Sequence, residues 1–296
     1  MIQSEEEKHR VRRGKNGYLF QTDENIFGRL TGEVNLSPDD LAIWAETFRE
    51  RKRIAEAAGA QYFMFVVPER HVVYREFLPD GVVISEDRTI RRLLARDVLA
   101  DSIVYPLAAM ETAKAIMEPY PKGGSHWNGF GAYVGYREIC TRIGEIPAPM
   151  DDFEWTSSPV PGGCDLEERL SLDTGPYIMY KKKVSHGHAV FDNAIWAIGN
   201  VKVFKNINPN LPTAVIFRDS FSMKLLPLLS ESFSRIVAVV SGAFYPEIVE
   251  SERPSFVITQ IAERYLTPHM ADIPHGTFED YCKVSPAQIL QVWTGR

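Results

Sequence analysis

Short, continuous apolar runs at residues 61–67, 213–217, 235–240 and 255–260 constrain this chain most. Runs of this length that stay apolar, rather than alternating with polar residues, are strands buried on both faces. Helical patterns lie around them. Ser37-Pro38-Asp39-Asp40 supplies an N-cap, a proline at the first helical position and acids in the first turn. Leu41, Trp44, Ala45 and Phe48 follow at helical spacing, and Gly59 is the stop. Residues 87–99 and 107–117 read as further helices flanking a short strand at 102–105, and another helix follows residue 128 and runs to about 142. Strands alternating with helices predict an α/β fold, a three-layer α/β/α arrangement around a mainly parallel sheet.

Between residues 147 and 212 the texture changes. Pro159, Pro161, Gly162 and Gly163 mark a loop, and residues 177–204 are β-branched and aromatic with turn signals between. The chain therefore reads as one domain over residues 1–296 with a β-rich insertion at about 150–210. Its 296 residues, 45% hydrophobic, suffice for a large core. A net charge of −6 argues against a nucleic-acid partner or a broad anionic-membrane patch. The cluster Arg49, Arg51, Lys52 and Arg53 is interleaved with Glu46, Glu50 and Glu56 and reads as a solvated helix face. Cys140, Cys164 and Cys282 have neither metal-ligand spacing nor an even count for a disulfide framework. His186 and His188 alternate with Ser185 and Gly187, but no third ligand stands nearby, so no metal is expected. Nor does a glycine-rich phosphate loop point to a cofactor. The opening ten residues are charged and lack the apolar core of a signal peptide, and no stretch reaches the roughly 20 apolar residues of a membrane span. As written, the chain reads as cytoplasmic.

Two loops carry candidate chemistry. Arg218-Asp219-Ser220-Phe221 closes the run Ala214-Val215-Ile216-Phe217 and opens a helical stretch. A serine there has its hydroxyl presented at the carboxyl edge of the sheet, where open α/β folds gather their reactive groups. Its N–H points outward at a helix N-terminus that favours negative charge. Those suit an acyl-transfer nucleophile. The same residues also suit a helix cap, with Asp219 and Ser220 as the capping pair. In Gly123-Gly124-Ser125-His126-Trp127-Asn128 a histidine stands at a helix start, either capping it, packing on Trp127, or serving as a base. Serine with a histidine base is the minimum for nucleophilic catalysis.

Six segments, taken in order, resemble the SGNH-hydrolase-like domain of the alginate O-acetyltransferase family (the AlgX/AlgJ-related proteins). They are Gly14-Lys15-Asn16-Gly17-Tyr18-Leu19-Phe20; Val67-Pro68-Glu69-Arg70-His71-Val72-Val73-Tyr74 with Phe77-Leu78-Pro79; Ser125-His126-Trp127-Asn128 with Gly131-Ala132; Asp165-Leu166; Phe217-Arg218-Asp219-Ser220-Phe221-Ser222; and Ile261-Ala262-Glu263-Arg264-Tyr265-Leu266. The resemblance implies an SGNH-like fold in the family's permuted order, His before Ser. It makes Ser220 the nucleophile and His126 its base. The family's acid, two positions before the histidine, is Gly124 here; a backbone carbonyl, a water or an acid from elsewhere would replace it, Asp165, Asp173 and Glu263 being the candidate acids.

The reading that follows is transfer of an acetyl group to a polysaccharide or sugar precursor through acetyl-Ser220. The Ser220 N–H, with the Asn128 amide, would hold the oxyanion. Trp127 would offer a face to a sugar ring. Arg264 would hold an acidic sugar or tie the site together through Asp219 or Glu263, and Arg218 would sit in a salt bridge. The acetyl donor is undetermined, a partner protein being one source. Family members typically work in the periplasm. The competing readings are a carbohydrate acetyl esterase and a decayed carbohydrate-binding or scaffolding module.

Overall fold

The computed structural model describes residues 8–267 and 276–294; residues 1–7 of the charged opening lie outside them. Strands β1 (Val11–Arg13) and β2 (Leu19–Gln21) pair antiparallel near the N-terminus. The centre is a seven-stranded sheet of β3 (Gln61–Val67), β4 (Ile103–Val104), β7 (Gly187–Asp192), β8 (Val201–Asn206), β9 (Thr213–Arg218), β10 (Arg235–Val240) and β11 (Phe256–Ala262). Its order is β4-β3-β11-β9-β10-β8-β7. The first five strands of that order run parallel; β8 then pairs antiparallel with β10, and β7 antiparallel with β8. A separate two-stranded ribbon joins β5 (Phe153–Pro159) to β6 (Pro176–Lys182).

The parallel strands are apolar throughout because helices cover both faces. Tyr62, Met64, Val66, Val215, Val237 and Val257 enter one core, with Trp44 and Phe48 of helix α1 (Pro38–Ala57) and Ile248 of α5 (Pro246–Glu252). Phe63, Phe65, Ile216, Ile236 and Ile258 point the other way, into a core shared with Tyr136 of α2 (Gly129–Ile143) and Leu225 of α4 (Ser222–Leu229). The short helix α3 (Asp165–Arg169) lies between α2 and α4 in the chain, and α6 (Pro286–Thr294) ends the described residues. The result is the three-layer α/β/α arrangement.

The structure departs from the sequence reading in three places. The helix expected over 87–99 is two, Thr89–Leu94 and Asp97–Ala100, broken at Arg96, whose backbone is extended. The β-rich excursion divides. Only β5 and β6 leave the sheet, whereas β8 returns beside β10, where Val201 and Val203 join the core that holds Val237 and Val239. Pairing there buries apolar surface and covers an otherwise open edge. Finally, Arg51 is not solvated. It is buried, donates to Thr259 Oγ1 at 2.9 Å and to the Gly242 carbonyl at 3.2 Å, and its guanidinium lies 5.6 Å from the centre of the Phe244 ring. It crosses from α1 to the sheet.

Ser37 and Asp40 close a reciprocal capping box on α1, with Asp40 N–H donating to Ser37 Oγ at 3.1 Å and Ser37 N–H to Asp40 Oδ2 at 2.8 Å. Ser37→Ala should lower unfolding stability by about 1 kcal/mol in urea titration; an unchanged midpoint would show that α1 is held by packing alone.

Candidate active site

Strand β9 ends at Arg218 and α4 begins at Ser222. The turn between them is fixed by Asp219. Its carboxylate accepts from the N–H of Phe221 at 2.9 Å, from Gln260 Nε2 at 2.8 Å and from the N–H of Ala262 at 2.6 Å. Gln260 Oε1 in turn accepts from Asp219 N–H at 3.3 Å. Gln260 and Ala262 belong to β11, the neighbour of β9, so the turn is bolted to the adjoining strand. Burial pushes the Asp219 carboxyl above its ordinary value, against the pull of those three hydrogen bonds. Asp219 therefore fixes the turn that leads into α4, and Ser220 is left exposed, its hydroxyl making no capping bond to the helix.

The segment carrying His126 is gripped by its carbonyls. Arg70, which follows β3, is fully buried; it donates to the Gly124 carbonyl and, at 2.8 Å, to that of Lys122. Arg264, which follows β11, donates to the Ser125 carbonyl at 2.9 Å. Glu69 binds Arg264 through both carboxylate oxygens, at 2.6 and 2.9 Å. Burial would raise the Glu69 carboxyl, but Arg264 and His71 overcome it and hold the group down at about 2. Beside this pair Glu263 accepts from Arg88 Nε at 2.9 Å and from Tyr105 at 2.7 Å, and its Oε2 accepts from Glu69 N–H at 3.3 Å. On the other side of the loop Leu166 N–H of α3 donates to the Gly123 carbonyl at 2.9 Å, and Asp165 Oδ1 accepts from Ser125 N–H at 2.7 Å. The groups that bind the loop itself, Arg70, Arg264, Asp165 and Leu166, sit just past the carboxyl ends of β3 and β11 or on α3.

The two loops meet. His126 Nε2 lies 2.7 Å from Ser220 Oγ, and Nδ1 lies 2.9 Å from Ser125 Oγ. The imidazole rests on the Phe221 ring, with centroids 4.6 Å apart. Burial, then the Arg264 charge, lowers the His126 pKa below its ordinary value, with Asp165 and Glu69 opposing. At neutral pH the ring is thus the neutral imidazole a base requires. The position of the family's acid is closed. A Cβ on Gly124 would lie 2.6 Å from the Gly163 carbonyl oxygen and 2.6 Å from Pro121 Cγ.

Other residues singled out in the sequence have different places. Both ends of the Asn128 amide are used. Oδ1 caps α2, accepting from Phe130 and Gly131 N–H at 2.9 and 3.1 Å, and Nδ2 donates to the Glu118 carbonyl at 2.6 Å. The amide is buried at the start of α2, where it serves as the helix cap. Trp127 is buried against Phe65 and Phe221, and its indole N–H donates to the Phe221 carbonyl at 2.8 Å, so it links the two loops rather than facing solvent. Arg264 is buried and paired with Glu69, not with Asp219 or Glu263, and Glu263 is taken by Arg88. Arg218 makes no salt bridge among the described residues. Its Nη2 donates to Asn200 Oδ1 at 2.7 Å, and burial pushes its pKa down to about 10. Asp173 is exposed, and His186 lies 3.5 Å from Glu231. No group of three or more metal-ligating side chains occurs among the described residues.

Ser220 stands on the wall of a cleft of about 810 Å³, whose lining is mainly apolar. Trp196, Ile198, Met223 and Tyr265 line it, together with Arg218. Trp196 is 96% exposed. Sequence reasoning gave no role to this tryptophan, to Ser125 or to the Glu69-Arg70 pair. The signal for the last was available: Glu69-Arg70 and Glu263-Arg264 both follow predicted parallel strands, and buried charges there must find partners.

Two outcomes follow from this geometry. Glu69→Gln leaves Arg264 buried without its anion and should cost about 3–5 kcal/mol at neutral pH. Because the Glu69 pKa is depressed in the fold, its contribution is complete above the ordinary 4.5 and disappears as pH falls toward about 2. The gap between wild type and variant should close over that interval in urea titrations; a gap independent of pH would contradict the pairing. Gly124→Asp, which restores the family's acid, should instead destabilise the fold by about 1–3 kcal/mol through overpacking. A variant that is as stable as wild type would mean that the Gly163 loop yields freely.

The fold is shared with solved structures of low sequence identity. Bacillus cereus PatB1, solved with a sulfonyl adduct, superposes with a TM-score of 0.67 at 14% identity, covering 91% of this chain and 97% of that one. A DHHW family protein from Eubacterium siraeum gives 0.60 at 15% identity, over 79% and 87% of the two chains. The O-acetyltransferase domain of Pseudomonas putida AlgJ gives 0.54 at 17%, over 97% and 99%. No curated protein sequence matches the chain. The family model described as SGNH hydrolase-like domain, acetyltransferase AlgX, matches residues 11–160, just over half of the chain and inclusive of the His126 loop. The chain belongs to that AlgX-type SGNH hydrolase-like family.

Proposed function

We propose that the protein is a serine-dependent O-acetyltransferase that moves an acetyl group onto a carbohydrate hydroxyl by way of acetyl-Ser220. The observation that carries this reading is the exposed Ser220 Oγ, 2.7 Å from His126 Nε2 and at the wall of the cleft. His126 takes the Ser220 proton as Oγ attacks the acetyl carbonyl, and the imidazolium returns it to the departing donor group. The oxyanion receives the Ser220 N–H at the start of α4, where the helix dipole favours negative charge. In the second half His126 deprotonates an acceptor hydroxyl, which attacks the acyl carbon and releases Ser220. Water in that place gives the esterase reaction. The AlgJ domain that shares this fold is itself named an O-acetyltransferase.

The acceptor sugar stacks on Trp196 and Tyr265. Both line the cleft with Ser220, and with Ile198 and Met223 they make a contiguous exposed apolar patch of the kind that marks a binding site. The donor, free or carried by a partner protein, enters the same cleft. No helix among the described residues is long and apolar enough to cross a membrane.

Incubation with a reactive acetyl ester should add one acetyl group by intact mass. Ser220→Ala abolishes the addition, and His126→Ala slows it by about 10²–10⁴-fold. Because the His126 pKa is lowered, acetylation should be half-maximal below pH 6.5 and level above it. Trp196→Ala should leave acetylation intact while raising the oligosaccharide concentration needed to discharge it. Label that survives Ser220→Ala would identify a different nucleophile. A folded protein that takes no label would instead support a carbohydrate-binding module, the reading favoured by the hydroxyl, rather than a carboxylate, at His126 Nδ1.

A further inference from the structure

We infer that the Ser125 hydroxyl is the orienting partner of the His126 imidazole, standing where this family would otherwise aim a carboxylate. The inference rests on the acetyltransferase reading of Ser220 and His126. Ser125 is 2% exposed, and its Oγ lies 2.9 Å from Nδ1. Its backbone is held from both sides: its N–H donates to Asp165 Oδ1 at 2.7 Å, and its carbonyl accepts from Arg264 at 2.9 Å. The backbone bonds fix where the Cβ stands, and burial keeps the hydroxyl from water, so the ring nitrogen is its partner. The closed position at Gly124 removes the competitor, since a side chain there meets Gly163 and Pro121.

The proton accounting is simple. Ser220 Oγ–H donates to Nε2, so Nδ1 carries the ring proton and donates it to Ser125 Oγ. During acylation the Ser220 proton passes to Nε2, the imidazolium keeps both of its protons, and nothing is transferred to Ser125. A hydroxyl dipole stabilises the imidazolium less than a carboxylate does, so the base stays weak. The charges around the ring are Arg264 after β11, Glu69 after β3, and Asp165 and Arg169 on α3; none of them is hydrogen-bonded to it among the described residues. Asp165 acts one step back, through the Ser125 backbone. Ser125 is thus a positioning residue, not a catalytic one.

The test uses Ser125→Ala and Ser125→Thr in the full chain, read by acetylation of Ser220 against pH and by the Nδ1–H proton resonance of 15N-histidine-labelled protein. Ser125→Ala keeps both backbone contacts, so the protein should stay folded, its unfolding midpoint lowered only by the loss of one hydrogen bond. Its acetylation should fall about tenfold, the worth of one lost hydrogen bond. The half-maximal pH should move lower, because the imidazolium loses an acceptor, and the Nδ1–H resonance should vanish into exchange. Ser125→Thr should restore all three. Wild-type acetylation in Ser125→Ala, or a loss with an unmoved pH midpoint that threonine does not rescue, overturns the assignment. If the wild type itself takes no acetyl group, the acetyltransferase reading fails. The resonance then decides alone: its loss in Ser125→Ala supports the contact, and its persistence overturns it.

Discussion

Two buried arginines at the carboxyl ends of neighbouring parallel strands hold the loop on which everything else depends. Arg70 and Arg264 donate to the carbonyls of Lys122, Gly124 and Ser125, and so determine where His126 stands relative to Ser220. Their burial has different consequences. Arg264 is matched by Glu69, whereas Arg70 has only carbonyls and the faces of Tyr18 and Phe20, and burial pushes its pKa down to about 10. A buried charge that meets its needs through one loop's carbonyls forces that loop into a single position, since any other leaves the charge unsolvated. Asp219 performs the corresponding task for the turn that carries Ser220. The Ser220–His126 contact is therefore assembled from two rigid halves, each tied to the sheet and joined to the other by Trp127 and Phe221.

Much of this was legible in the sequence, for identifiable reasons. The apolar runs gave the parallel strands because burial on both faces leaves no alternation to misread, and the capping box at Ser37 gave the start of α1 to the residue. Ser220 and His126 stood out because each stands where a strand or loop passes into a helix, and the structure places their side chains 2.7 Å apart. Asn128, Trp127 and Arg264 share one feature. All three are chemically able to bind a substrate, and only packing reveals which of their polar atoms are engaged within the fold. Sequence shows what a side chain can do, while burial decides whether it has anything left to do it with. Trp196 is the converse case. It lies in an irregular connection between β7 and β8, where no periodicity marks it, yet it is exposed in the cleft that Ser220 lines.

Gly124 shows how a departure from a family pattern becomes interpretable. From the sequence, the missing acid suggested either a replacement from elsewhere or decay. In the fold none of the three candidate acids reaches Nδ1: Asp165 binds the Ser125 N–H, Glu263 is paired with Arg88, and Asp173 is exposed. The loop has closed over position 124, and a hydroxyl meets the ring instead. A neutral partner preserves orientation while giving up part of the imidazolium stabilisation, which separates two tasks that a carboxylate performs together.

The most direct test of the account is a crystal structure of the protein after treatment with an aryl sulfonyl fluoride. The account predicts a single adduct on Ser220 Oγ, with the aryl group in the cleft beside Trp196, His126 Nε2 still facing the modified oxygen, and Ser125 Oγ within hydrogen-bond distance of Nδ1. An adduct on another residue, or an unmodified Ser220 with the imidazole turned from it, would contradict the central claim that these two side chains form a working nucleophile and base.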